Sequence, residues 1–264
     1  MLQTLESALS DIRAGFRLRH VWIALASEDI GDQHRRTALG PFWLLINYLA
    51  FAGTFVFVFR GGDEGAADYA AYVAIGLLVW FYMMETITLS VSLFVREESF
   101  IKGTTLPLSV YVMRLAMESL IRSGYALAGC LAILLMSGVP PNAAWGWSAL
   151  GLAVLLAATP AAIIVCAFLG AYFPDSQFIV ANLMRIGMFL TPVFWVHTAG
   201  TGGVQGAFYY WNPFTYFLEI VRIPILSGEL PANALALCVA MTAVLWLIAL
   251  FLLGRYRREI VFVL

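Results

Sequence analysis

Five ionisable side chains interrupt stretches that are otherwise apolar, and these five have the clearest potential for chemistry. They are Glu85, Arg114, Glu118, Arg122 and Arg185. Each charge costs about 2.5 to 3.5 kcal/mol at the centre of a bilayer unless it is paired or hydrated. Arg114, Glu118 and Arg122 recur at four-residue steps, so on one helix the carboxylate can bridge both guanidinium groups.

The depth of these charges limits what they can do. Counted at about 1.5 Å per residue from the ends of their apolar segments, Glu85, Arg122 and Arg185 lie at a similar level in the inner half of a bilayer. The pattern predicts either a structural ion cluster or a polar lining, or gate, of a transport path. The sequence leaves both interpretations open.

The residue sets that enzymes and metal sites need do not occur. A phosphate-binding loop ends in Gly-Lys-Ser or Gly-Lys-Thr, but the single lysine, Lys102, follows Ile101. The three histidines are far apart, and the three cysteines lie in apolar segments without metal-ligand spacing. We predict no catalytic residue, no metal site, no cofactor bound by this chain and no nucleic-acid partner.

The elements that position the charges are membrane spans. Of the 264 residues, 62% are hydrophobic and 12% are charged, and the mean hydropathy is +0.87. About 20 apolar residues cross the hydrocarbon of a bilayer. We predict an all-α integral membrane protein with six transmembrane helices, at about 42–59, 69–95, 110–136, 147–171, 178–199 and 235–253.

The basic residues predict the orientation of the chain. Ten Lys and Arg lie in the segments 1–41, 96–108 and 254–264, whereas the opposite connections hold only Arg60 and Arg222. Basic residues favour the cytoplasmic side. Both termini are therefore predicted to be cytoplasmic.

Two segments outside the spans have structure of their own. Residues 1–41 begin with an amphipathic helix that is too polar to cross the bilayer; it is expected to rest on the lipid headgroups, to form a cuff against the spans and a cytoplasmic partner, or both. Residues 200–234 contain an apolar run, Phe214–Leu226, that is too short to span. We expect outer re-entrant half-helices between spans five and six, within a transmembrane domain of residues 42–264.

An aromatic stripe runs along the first span, formed by Tyr48, Phe51, Phe55 and Phe59. Such spacing is typical of a surface that faces lipid or packs on another helix. Aromatic faces can also hold the apolar faces of sugar rings weakly, which suits a moving polymer. The stripe is thus a candidate channel surface.

Four motifs follow one another on this scaffold. They are Glu28-Asp29-Ile30 with Arg35-Arg36-Thr37-Ala38-Leu39-Gly40-Pro41-Phe42-Trp43; Glu98-Ser99-Phe100-Ile101-Lys102 with Leu106-Pro107; Asp175 with Thr191-Pro192-Val193-Phe194-Trp195; and Asn212-Pro213-Phe214 with Arg222. Their order resembles the membrane subunits of bacterial ABC-2 type polysaccharide exporters, over most of the chain. Gln33, Pro174 and the small, polar Gly103-Thr104-Thr105 depart from the family pattern, and the first two weaken any claim of basic contacts there.

The resemblance implies a permease that forms a homodimer and binds two copies of a cytoplasmic ATPase, in which ATP and magnesium are held. It implies a multi-pass protein of the bacterial inner membrane that moves a lipid-linked glycan through a channel between the two permeases. O-antigen, and hence lipopolysaccharide biosynthesis, is the first choice of cargo; capsule or teichoic acid is the alternative. The residues that resemble the ATPase-coupling loop, at about 96–108, are Glu98, Ser99, Phe100, Ile101, Lys102 and Leu106.

Three other functions remain as alternatives. A drug or lipid exporter of the same ABC-2 architecture is the most serious of them. A membrane-embedded transferase would need a convergent His, Asp or Ser set that the loops do not offer. A proton-coupled transporter would fit poorly with six spans that have no apparent internal repeat.

Overall fold

The computed structural model describes residues 2–59, 66–197 and 203–264. Within these ranges the chain is helical, and no strand occurs. The helices are α1 (Leu2–Arg17), α2 (Arg19–His34), α3 (Phe42–Phe59), α4 (Ala66–Val91), α5 (Leu93–Arg96), α6 (Glu98–Gly103), α7 (Leu108–Met136), α8 (Trp145–Tyr172), α9 (Ser176–Leu190), α10 (Val204–Trp211), α11 (Pro213–Leu226), α12 (Ala232–Tyr256) and α13 (Ile260–Val263).

Four helices are long and apolar enough to cross a membrane. They are Ala67–Val91 within α4, Leu108–Met136, Trp145–Tyr172 and Ala232–Tyr256. The predicted first and fifth spans correspond to shorter apolar helices, α3 with 18 residues and α9 with 15. At about 1.5 Å per residue, α9 extends only about 22 Å. The described residues therefore include four candidate spanning helices, and six spans remain a prediction.

Proline chemistry sets one boundary that the hydropathy pattern misplaces. The predicted fifth span continues to residue 199, but α9 ends at Leu190, and Thr191 has extended backbone angles, φ −87° and ψ 143°. Pro192 disfavours a helical conformation at the residue before it and cannot donate a hydrogen bond. The segment after α9 therefore leaves the helix axis.

The N-terminal amphipathic segment forms two helices that break at Leu18. α1 packs against α12 and α7, and α2 packs against α7. Asp11 of α1 is buried, and its carboxylate accepts a hydrogen bond from the Ser109 backbone N–H at 3.0 Å. The segment is therefore fastened to the start of a span.

The core is built around α4, which contacts α3, α7, α8, α9 and α11. Trp80 and Leu77 of α4 are fully buried. A Cβ atom at Gly170 would overlap the carbonyl oxygen of Val91, so this glycine lets α8 approach the end of α4. Small residues permit such close approach between membrane helices.

The basic segments gather at one end of the bundle. The Arg257 guanidinium donates to the Ser7 carbonyl at 2.9 Å, and the Ser7 hydroxyl donates to the Gly254 carbonyl at 3.3 Å. The beginning of α1 therefore lies beside the end of α12, and Asp11 joins both to the start of α7. We call this the basic end; α10 and α11 lie at the opposite end.

The region between α9 and α12 contains two short helices. Asn212 caps the second of them, α11, because its side-chain oxygen accepts from the Phe214 N–H at 3.0 Å, and Pro213 occupies the first turn. α11 packs against α8, α4 and α12. The apolar run of 214–226 is thus a packed helix, and its re-entry into a membrane remains a prediction.

Candidate functional site

The guanidinium of Arg114 is held by carboxylates from two other elements. It bonds both oxygens of Asp29 on α2, at 2.6 and 2.8 Å, and it reaches Glu97 at 3.2 Å. Bidentate pairing of this kind is the strongest arrangement for an arginine and a carboxylate. Arg114 thereby joins α7 to α2 and to the turn that precedes α6.

Glu118 and Arg122 continue the same row on α7. One Glu118 oxygen lies 3.6 Å from Arg114, and the other lies 3.9 Å from Arg122. Arg122 makes its short ion pair with Glu85 on α4 and donates to Gln33 on α2 at 2.9 Å. We call Asp29, Glu85, Glu97, Arg114, Glu118 and Arg122 the charge ladder.

Asp29 is the member of the ladder that lies on a helix outside the spanning segments. Partial burial opposes its ionisation, but hydrogen bonds and positive charge from Arg114 outweigh that effect and hold its pKa below the usual value. Asp29 therefore stays ionised at neutral pH. Its contribution to stability is present above the unfolded-state pKa and is lost as the pH falls through the lower folded-state pKa.

Arg185 corrects the expectation of a single buried cluster. It lies on an exposed face of α9, and none of the ion pairs among the described residues involves it. Its neighbours along that helix include exposed apolar side chains: Phe178, Ile179, Leu183, Ile186 and Phe189. Arg185 therefore makes no ion pair with the ladder, although it lines the same cavity as Glu85 and Arg122.

A cavity of about 470 Å³ lies between α3, α4, α7 and α9, and we call it the lateral cavity. Glu85, Arg122 and Arg185 line it together with Phe51. Ser119 also lines it, and its buried hydroxyl has no hydrogen-bond partner among the described residues. The cavity therefore presents hydrogen-bond donors, a carboxylate acceptor and an aromatic face in one place.

The aromatic stripe does not form one continuous surface. Tyr48 is buried, and its hydroxyl donates to the Ala74 carbonyl of α4 at 2.6 Å. Phe51 is half exposed at the cavity and meets Phe81 edge to face, with ring centroids 5.3 Å apart. Phe55 stacks on Phe194 at 4.9 Å, and the side chain of Phe59 lies outside the described residues. Tyr48 and Phe51 both line the lateral cavity, and of these two Phe51 has the exposed ring.

The predicted coupling segment forms the short helix α6 and the extended chain after it. Ile101 is buried, whereas Phe100 is 60% exposed and Leu106 is also exposed. Lys102 and Glu98 pair on the surface at 2.6 Å. Ser99 is exposed on the same helix. α6 thus has one apolar anchor inside and an aromatic side chain outside, which suits docking on another protein.

The coupling segment is connected directly to the charge ladder. Glu97, the residue before α6, is buried and bonds Arg114. The row then continues through Glu118 and Arg122 to Glu85 at the lateral cavity. Side-chain contacts therefore run from the residue before α6 to the lining of the lateral cavity.

Arg222 holds the non-helical segment after α9. It is buried and donates to the carbonyls of Pro192 at 2.7 Å and Val193 at 3.0 Å. Its guanidinium also lies 3.7 Å from the centre of the Tyr72 ring, a cation–π contact. The Tyr72 hydroxyl donates to Trp195 at 2.9 Å. The motif 191–195 is therefore a bend that α4 and α11 hold in place.

Sequence reasoning missed three partners of the buried arginines. Asp29 and Gln33 lie 85 and 89 residues from the arginines they bind, and Glu97 lies 17 residues away. Local spacing contains no signal for such pairs. The one available hint was the motif: Asp29 was part of the acidic stretch, and Gln33 was a departure from the family pattern. Gln33 accepts a hydrogen bond from Arg122, a role that an arginine could not perform.

Comparison with known proteins agrees with this architecture. The sequence profile of the ABC-2 type transporter family matches residues 20–226. Two curated relatives, each described as O-antigen export system permease protein RfbA of Klebsiella pneumoniae, are 22% identical over 176 residues, which are 65% of this chain and 67% of each relative. The predicted family is confirmed: the chain belongs to the ABC-2 type transporter family.

Proposed function

We propose that this chain is the permease subunit of an ATP-driven exporter that moves a lipid-linked polysaccharide, with O-antigen the first choice, across the bacterial inner membrane. The family supports transport by a membrane subunit, and the distant relatives support polysaccharide as the cargo. The observation that carries the proposal in the structure is the lateral cavity. It combines the exposed ring of Phe51 with the polar groups of Glu85, Arg122 and Arg185.

The cavity chemistry suits a hydroxylated chain that must keep moving. Stacking on Phe51 contacts the apolar face of a sugar ring without fixing its orientation. The carboxylate and guanidinium groups can exchange hydrogen bonds with successive hydroxyl groups. Because each contact is weak, a polymer can advance past the site without being trapped.

The channel is completed by a second copy of the chain. Arg185 stands among exposed apolar side chains on α9, and a cation that faced lipid at this depth would cost about 2.5 to 3.5 kcal/mol. α9 is also short for a helix surrounded by lipid. A homodimer that places α3 and α9 at its centre would turn Arg185 toward a hydrated path, with six spans in each subunit.

The energy comes from a separate ATPase subunit, two copies for each dimer, which holds ATP and magnesium. The basic end faces the cytoplasm, as the distribution of Lys and Arg predicts. The ATPase docks on α6, and the charge ladder carries its motion to the lateral cavity. Glu97 and Arg114 are the positioning residues at the start of that route.

The cavity assignment is tested by replacing Phe51 with Ala in cells that depend on this chain. Loss of the stacking surface should slow export and shift the length distribution of surface glycan, seen on a polysaccharide gel. Phe251→Ala is the matched control, because Phe251 lies on α12, away from the proposed dimer centre, is 55% exposed and does not line the cavity. It should leave the distribution unchanged.

The cargo assignment has its own decisive result. Deleting the chain should remove a surface polysaccharide, and the sugar that disappears identifies O-antigen, capsule or teichoic acid. If surface glycans stay normal while the cells become sensitive to small amphiphilic toxins, the chain is instead a drug or lipid exporter of the same family.

A further inference from the structure

Two short helices at the basic end each bury an isoleucine and expose a phenylalanine. α6 buries Ile101 and exposes Phe100, and α13 buries Ile260 and exposes Phe262. Both isoleucines belong to the same apolar cluster, which also contains Leu108. Phe262 is 90% exposed, more than any other large apolar side chain of the described residues. Each helix is thus anchored by an isoleucine and presents a phenylalanine outward.

The two helices lie side by side. α13 contacts α6, although the two are separated by more than 150 residues of chain. Between them and α1 lies a recess of about 540 Å³, which Leu106 of the coupling segment and Val261 of α13 both line. A turn at 257–259 separates α13 from α12.

The rim of the recess carries a cation that pairs with none of the residues that the structure describes. Arg257 is engaged with Asp11 at 3.6 Å and with the Ser7 carbonyl at 2.9 Å. Arg258 also lines the recess and is exposed, and no ion pair among the described residues involves it. The surface therefore offers two aromatic side chains and one available positive charge.

We propose that α13 is a second docking element for the ATPase subunit, and that Phe100 and Phe262 enter the same face of that partner. The inference rests on the proposed function, since it requires an ATPase that docks at α6. Its complement would be an apolar cleft that accepts two aromatic rings, with an acidic side chain positioned for Arg258.

The geometry favours a protein over the lipid surface as the occupant of this face. Ile260 packs α13 against the apolar cluster that also contains Ile101 of α6. Phe262 therefore lies next to the exposed side of α6, which presents Phe100. Polar side chains, Thr104 and Thr105, line the recess between the two helices. A few desolvated anchor residues, often aromatic, contribute most of the binding free energy of a protein interface. Phe262 should therefore contribute a large part of the free energy of ATPase binding.

The test measures binding of the ABC ATPase subunit encoded with this chain to the purified full-length permease in detergent. Phe262→Asp and Phe262→Ala are compared with the unaltered chain. Each should raise the Kd at least about thirtyfold, the size of a hot-spot loss. Phe173→Asp is the matched control, because Phe173 is 66% exposed beyond the end of α8 and does not line the recess. It should bind normally.

The outcomes separate this inference from the proposed function. If the unaltered chain binds the ATPase and both Phe262 variants bind it as tightly, α13 is not a docking element. This inference then fails, while the proposed function stands. If Phe262→Ala binds normally but vesicles of anionic phospholipid bind it less well than they bind the unaltered protein, the face belongs to the lipid surface. An unaltered chain that binds no ATPase overturns both. Equal melting temperatures of all the variants would exclude misfolding as the cause of a lost interaction.

Discussion

At the scale of residues, this chain keeps its intramembrane arginines by surrounding them with acceptors from several helices. Arg114 has Asp29, Glu97 and Glu118 within reach, and Arg122 has Glu85, Gln33 and Glu118. A buried charge that loses its partner is strongly destabilising. The ion pairs of the charge ladder should therefore be energetically coupled. Pairs in closer contact should contribute more to the free energy of unfolding.

The pair that matters most for Arg122 is predicted to be Glu85. Arg122→Met should lower the free energy of unfolding by about 3 kcal/mol, because it leaves the Glu85 carboxylate partly buried without its cation. Adding Glu85→Gln should restore at least about 1 kcal/mol. Adding Glu118→Gln to Arg122→Met should restore less stability, because Glu118 still has Arg114 as an ion-pair partner when Arg122 is replaced. The measurement is denaturation of the four purified proteins in detergent.

Glu85→Gln alone supplies the control that closes this cycle. If the double variant Arg122→Met, Glu85→Gln is no more stable than Arg122→Met alone, a tight ion pair between Glu85 and Arg122 is contradicted. That result would instead indicate that water solvates the charges of both side chains, as in the wall of a hydrated channel.

At the scale of elements, α6 is a short helix whose two sides have different tasks. Its outer side presents Phe100, and the residue before it, Glu97, is tied to Arg114 inside. In the proposed function, docking and transmission are carried by different side chains of one segment. They should be separable by mutation.

Phe100→Asp is expected to uncouple ATP hydrolysis from export while leaving the permease inserted in the membrane. The physical reason is that the exposed ring supplies apolar contact area that a carboxylate would keep hydrated. Export is followed by surface glycan, assembly by co-purification of the ATPase, and insertion by recovery in the membrane fraction. Unchanged export with unchanged assembly would count against α6 as the coupling element.

Glu97→Gln provides the contrasting variant. It keeps the shape of a buried side chain but removes the charge that binds Arg114. The ATPase should still dock, and export should fall. A loss of docking in this variant would mean that Glu97 only supports the fold of α6.

At the scale of the whole molecule, the chain is a helical bundle with four helices long and apolar enough to span a membrane, and its sequence contains no phosphate-binding loop. The ABC-2 family implies an ABC ATPase as the partner. In the proposed function, energy enters at the basic end and acts on a path between helices. The purified chain should not be able to supply that energy alone.

The corresponding prediction is that this protein, reconstituted alone in liposomes, hydrolyses no ATP above the rate of empty vesicles. The reason is the absence of Gly-Lys-Ser or Gly-Lys-Thr, whose backbone and lysine hold the phosphates. Phosphate release with and without the separate ATPase subunit is the measurement. Sustained hydrolysis by the isolated chain would require a nucleotide site that its sequence does not reveal.

Several properties of this protein follow from the sequence by itself, because they depend on neighbours along the chain. Long apolar runs determine the spanning helices, and the ordered motifs identify the family. The four-residue spacing on α7 places Glu118 between Arg114 and Arg122. Pro213 after Asn212 starts α11, whereas the break at Thr191 shows that a hydropathy window can overlook a proline.

Only the tertiary structure decided which faces of those helices meet. A helix that is apolar on all sides carries little periodic information about its neighbours. For that reason Tyr48 could not be distinguished from Phe51 along the chain, yet both line the lateral cavity and only the Tyr48 side chain is buried, whereas that of Phe51 is half exposed. Asp29 reaches Arg114, and α13 lies beside α6, because distant segments share one bundle end, and no local pattern encodes a contact of that kind.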